Sequence, residues 1–133
     1  MPFLTVYVQE GISRDQKLAL LKRLTAVTQE ALDVRPEVVR VVIEETPRDN
    51  WAWAGLTWEE LKRPDGTAPQ IPFLIVRFVE GFPEERKARL ISGLCRTAAE
   101  VLNTELSLVK GIFEEVPRSA WANGGVRLCD LSL

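Results

Sequence analysis

The 133-residue sequence is written twice. Pro2-Phe3-Leu4-Thr5-Val6 returns as Pro72-Phe73-Leu74-Ile75-Val76, and Glu10-Gly11 returns as Glu80-Gly81. Glu44-Glu45-Thr46-Pro47-Arg48 returns as Glu114-Glu115-Val116-Pro117-Arg118, Trp51-Ala52 as Trp121-Ala122, and Gly55 as Gly125. The offset is 70 positions throughout, with no gap, and roughly 19 of about 54 aligned positions are identical, which marks a duplicated unit. The copies span 2–55 and 72–125, joined by a linker at 56–71 and followed by a tail at 126–133. The length suits one compact domain, 1–133, so the two copies are expected to share a core.

Each copy carries the same pattern. Residues 3–8 are rich in β-branched and apolar side chains and read as a strand, broken at Gly11. Ser13 then opens a helix, with Gln16 three residues on completing a capping box. Leu18, Leu21, Leu24, Thr28 and Leu32 fall on one face at helical spacing. A second strand follows Pro36, at 38–45. In the second copy the strand is 73–79 and Pro83 sits at the first turn of the helix. The helix face is Leu90, Ile91, Leu94, Ala98 and Leu102, and the last strand is 108–116. The linker reads as a short helix, with Thr57 as N-cap and Glu60 at N3, and then a turn-rich stretch through Pro64-Asp65-Gly66 and Pro69.

Strand, helix, strand is a βαβ unit with parallel strands and a right-handed crossover. The expected fold is therefore α/β: a tandem βαβ repeat forming a four-stranded, mostly parallel sheet with two helices on one face. Val38, Val39, Val41, Val42 and Ile43 are nearly continuous, as are Phe73, Leu74, Ile75 and Val76. Strands apolar on both faces need cover on both, and two helices cover only one. The bare face calls for another copy of the chain, unless the linker and a strand-like tail fold over it.

Composition narrows the function. Seventeen basic and nineteen acidic side chains give a net charge of -2 with no basic tract, which argues against nucleic-acid binding. No apolar run approaches the roughly 20 residues of a membrane helix. The Met1-Pro2-Phe3 opening lacks the charged start of a signal peptide, so the expected location is cytoplasmic. The chain has no histidine, which removes the commonest general base and the commonest zinc ligand together. Cys95 and Cys129 have no CxxC spacing and read as free thiols. No metal site and no cofactor is expected.

Pro2 remains as a group able to move a proton. A small second residue permits removal of Met1, leaving a secondary amine on a rigid ring. In an apolar pocket near a cation its charged form is disfavoured on two counts, and an amine neutral near pH 7 serves as a general base. Pro72 occupies the matching place, but its nitrogen is acylated by Ile71 and has no available lone pair. Pro72 has a structural reason to be there, since proline is tolerated at the first position of a strand.

The N-terminal proline and apolar strand, Glu-Gly, the Ser-capped helix and Val39-Arg40-Val41-Val42-Ile43-Glu44-Glu45 together resemble the 4-oxalocrotonate tautomerase family, in a fused, two-unit form. The resemblance implies a cofactor-independent tautomerase or isomerase acting on small enol or 2-oxo carboxylic acids, with Pro2 as the catalytic base. It implies Arg40 as the binder of a substrate carboxylate and Trp51 as the aromatic wall of the pocket. It also implies a homotrimer shaped like the hexamer of the one-unit members. Lys110 and Trp121 are the second-copy counterparts of Arg40 and Trp51. The family's second arginine, just after Glu-Gly, is absent: Ile12 and Phe82 stand there, with Arg14 two residues on as a substitute. Two other readings stay open. One is a hydratase or dehalogenase of unsaturated acids using a protonated proline, and the other is an inactive oligomeric binding protein. Arg48 and Arg118 read as structural or interface residues, and the Glu-Glu pairs as solvated or ion-paired rather than as bases.

Overall fold

In the computed structural model, residues 1–131 are described. Both copies contribute to one sheet. Strand β1 (Pro2–Gln9) leads into helix α1 (Arg14–Leu32) and strand β2 (Arg40–Thr46). A hairpin of β3 (Ala52–Trp53) and β4 (Leu56–Thr57) and the short helix α2 (Trp58–Leu61) lead to the second copy. That copy runs β5 (Phe73–Val79), α3 (Glu84–Leu102), β6 (Lys110–Val116) and a second hairpin, β7 (Ala122–Asn123) with β8 (Val126–Arg127). The strand order is β2-β1-β5-β6, with parallel pairs inside each copy and an antiparallel pair, β1 with β5, where the copies meet. Helices α1 and α3 pack side by side on the same face, as expected of two right-handed crossovers.

Alternation along the strands divides the sheet. Leu4, Val6 and Val8 on β1 and Leu74, Val76 and Phe78 on β5 are buried against the helices. Leu20, Leu24, Leu90 and Leu94 meet them from above. The opposite face presents Phe3, Val42, Phe73 and Ile112, which are 45%, 50%, 36% and 55% exposed. Neither the linker nor the tail covers it, since the tail residues 126–127 pair into a hairpin instead. Residues 132–133 of the tail lie outside the described residues.

Several expectations shift. Leu18, Leu21 and Ile91 are exposed, and Leu20, Ala31 and Thr97 are buried in addition to the residues expected. Three-residue steps drift round the helix, so Leu18 stands about 120° from Leu24 and cannot share its contacts. Thr28 is tolerated in the core because its hydroxyl donates to the Leu24 carbonyl at 2.8 Å. Strands β2 and β6 begin two residues later than predicted. Each is preceded by a 3-10 turn, Pro36–Val38 and Leu106–Leu108. The capping box of Ser13 and Gln16 is present, whereas Pro83 is the N-cap itself, with extended backbone and no side-chain cap. Both helices end on a left-handed residue, Asp33 and Asn103. The linker helix is capped by Thr57 as expected, the hydroxyl accepting from Glu60 N–H.

Two repeated motifs turn out to be one device. The Glu10 carboxylate accepts the Arg48 backbone N–H at 3.0 Å, and Glu80 accepts that of Arg118 at 3.1 Å. Each Glu-Gly thereby fixes the turn that carries the chain from the end of a strand toward its Trp-Ala. Gly11, at φ 107°, lies so close to Arg48 that a Cβ there would stand 2.6 Å from a guanidinium nitrogen.

Candidate active site

Strand direction decides which residues meet. Because β2 runs parallel to β1, the chain leaves β2 at the end of the sheet far from Pro2. Strand β5 is antiparallel to β1, so that far end is where β5 begins, at Pro72. The tryptophans are therefore exchanged between copies. Trp121 packs on Phe3, ring centroids 4.8 Å apart, and Trp51 packs on Phe73 at 5.6 Å. The sequence grouped Pro2 with Trp51, and the fold instead brings Pro2 together with Trp121. Residue order alone carries no signal for this exchange, and the antiparallel junction between the copies creates it.

At the first end, Pro2 is fully buried at the start of β1, opposite Phe78. The preceding Met1 packs with Phe82, Val116 and Leu131 against a cluster of Val79, Trp121 and Leu128. Burial lowers the pKa of the terminal amine there below its ordinary value. Phe3 is flanked in register by Arg40 on β2 and Arg77 on β5. All three side chains leave the sheet on its open face, and two strand spacings place the arginine Cα atoms about 10 Å apart. Arg77 lies 3.3 Å from Glu114, an exposed pair, while Arg40 has no ion pair among the described residues. Arg77 escaped the sequence reading because its counterpart is Tyr7, so the repeat does not flag it. Its place opposite Phe3 is set only by the register of β1 with β5, for which the sequence carries no signal.

At the second end, Pro72 is equally buried. Lys110 occupies the register position beside Phe73 that Arg40 holds beside Phe3. Tyr7 stacks on Phe73 at 4.5 Å with the rings 15° from parallel. With Trp51 and Trp53 these residues line a cavity of about 650 Å³.

The remaining candidates separate from both groups. Arg14 is exposed at the start of α1, at the end of the sheet opposite Pro2. Ile12 and Phe82, in the places of the missing arginines, pack against the core. Glu45 pairs with Lys17 at 3.2 Å, and Glu115 pairs with Lys87 at the equivalent place. Glu114 pairs with Arg77, so three of the four strand-end glutamates are ion-paired. Both cysteines are free, and burial pushes the Cys95 thiol up, away from nucleophilic use. Among the described residues no group of three potential metal ligands comes together, and no helix is long and apolar enough to cross a membrane.

Comparison with known proteins agrees with the duplication. The sequence profile of the family described as tautomerase enzyme matches residues 2–60 and again 72–130. A 2-hydroxymuconate tautomerase of Comamonas testosteroni is 40% identical over 63 residues, 47% of this chain and 100% of that protein. The crystal structure of a native fused 4-OT superimposes with a TM-score of 0.86 at 27% identity, over 97% of this chain and 98% of that one. A second fused 4-OT, described as an asymmetric trimer, superimposes with a TM-score of 0.82 at 26% identity, over 96% of each chain.

Proposed function

The chain belongs to the tautomerase enzyme family, carried twice in one polypeptide, and from that premise we propose that it moves a proton between oxygen and carbon in small enol or 2-oxo carboxylic acids. The base is the prolyl nitrogen of Pro2, freed by loss of Met1. It takes the enol proton from oxygen, electrons shift through the conjugated acid, and the prolyl ammonium returns the proton to carbon. One group does both steps because an amine held near neutrality accepts and donates readily. Nothing is consumed, so no cofactor is required.

The observation that carries this reading is the burial of the chain start. Pro2 is fully buried at the start of its strand, and burial favours the neutral form of an amine, the form a base needs. The same fact disfavours the hydratase or dehalogenase reading, which needs the prolyl nitrogen charged. Arg40 holds a substrate carboxylate through a bidentate contact, and Arg77 takes the part of the missing second arginine. Arg14 is too distant along the sheet for that part. Trp121 and Phe3 wall the site and exclude water. The 2-hydroxymuconate named for the Comamonas relative carries two carboxylates, which suits a pair of guanidiniums.

The working form is a homotrimer in which residues 1–133 act as one domain and the open sheet face is the interface. The bare apolar face and the trimeric fused relative support this. With 2-hydroxymuconate and phenylenolpyruvate as substrates, Pro2→Ala is expected to lose roughly a hundredfold or more in turnover while folding normally. Unchanged turnover would remove Pro2 from the mechanism and leave the inactive binding protein as the better reading.

A further inference from the structure

The second end of the sheet keeps the form of a site without its base. Pro72 cannot accept a proton, because its nitrogen is an amide. In the single chain a cavity of about 650 Å³ around it is walled by Trp51, Trp53, Tyr7 and Phe73, of which Tyr7 and Phe73 stand on the sheet face proposed as the interface. A space left only as a relic of duplication would be free to fill with larger side chains. Instead four aromatic residues line it.

The two ends also differ in charge. The Pro2 end has two guanidiniums in the row of Phe3, whereas the Pro72 end has Lys110 and the uncharged Tyr7 in the row of Phe73. Lys110 has no ion pair among the described residues, so its charge is uncommitted. One cation and aromatic walls fit a planar acid with a single carboxylate. The cation fixes the charged end, and the ring stacks among the indoles and phenyls.

We propose that the Pro72 cavity is a second binding site, which holds an aromatic monocarboxylate without transforming it. The test uses trans-cinnamate as probe, titrated calorimetrically into the intact mature protein. Up to two saturable sites per chain are expected, because the Pro2 end also admits an aromatic monocarboxylate. Binding at one of them should persist within about twofold in the Arg40→Ala/Arg77→Ala double variant, and should weaken there roughly tenfold or more when Lys110→Met is added. Trp51→Phe, which keeps an aromatic wall of smaller area, should weaken it less. Circular dichroism and molar mass are followed in every variant, so that lost binding in an unfolded or dissociated protein is recognised and the comparison rests on Trp51→Phe. The proposal is overturned if wild type shows no saturable binding at millimolar cinnamate. It is equally overturned if all binding disappears in the double variant, or if binding in the double variant is unchanged when Lys110→Met is added to a folded protein. The proton-transfer reading is scored separately, by turnover in Pro2→Ala.

Discussion

At the residue scale the account turns on an exchange. Pro2 and Arg40 were paired by the family resemblance alone, and the register that sets Arg40 beside Phe3 lies within one βαβ unit. The partner tryptophan was not readable, since Trp51 and Trp121 are equivalent in sequence and only the antiparallel meeting of β1 with β5 assigns one to each proline. Arg77 was hidden for a related reason: its place beside Phe3 is a cross-strand fact, and its repeat counterpart, Tyr7, is uncharged. If Arg77 holds the second carboxylate, Arg77→Ala should lower kcat/KM for 2-hydroxymuconate about tenfold to a hundredfold. The loss for phenylenolpyruvate, with one carboxylate, should be smaller. Steady-state kinetics with both substrates check this. Equal losses for the two would assign Arg77 a general structural part through Glu114.

At the element scale the periodic signals served well and the junctions less well. Helices α1 and α3, the linker helix and the first strand of each copy were legible from spacing and caps. The starts of β2 and β6 were not, because apolar residues at 38–39 and 108–109 continue the strand pattern through a 3-10 turn. The two hairpins were missed, being only two residues per strand. Their turns show what the duplication preserved. The second has Gly124-Gly125 at φ 61° and 82°, whereas the first has Ala54-Gly55 at φ 54° and 76°. Positive φ at both central residues suits the twist of a hairpin, and an alanine there bears a steric cost of about 1–2 kcal/mol. Ala54→Gly is therefore expected to stabilise the chain by about 1 kcal/mol, after the greater flexibility of glycine in the unfolded state is offset. Thermal denaturation of the two proteins measures the difference, and a lower Tm for the variant would contradict it.

At the scale of the whole molecule, one sheet face lies under two helices and the other is bare and apolar. That imbalance was already present in the sequence, where the strands carry more apolar residues than two helices can cover. Assembly would resolve it, and the proposed trimer is expected to have a mass about three times the 15.0 kDa of the chain. Placing carboxylates at the two most exposed apolar positions of that face, Val42→Asp with Ile112→Asp, should give a monomer with unchanged far-ultraviolet circular dichroism. Light scattering on a sizing column reads the mass. A trimer surviving the double substitution would place the interface elsewhere.

Those levels meet at the first ring nitrogen of the mature chain. Pro2 is fully buried, and burial disfavours the charged form of an amine freed there by loss of Met1. The neutral base is present above the pKa of that amine, and kcat/KM should therefore rise with pH through it and then level. Titration of the N-terminal prolyl nitrogen by 15N NMR measures the same quantity on the group itself. A free secondary amine is expected, losing its proton below the ordinary range of a solvated prolyl amine. A nitrogen still acylated by methionine, or one titrating as it does in an unfolded peptide, would contradict it.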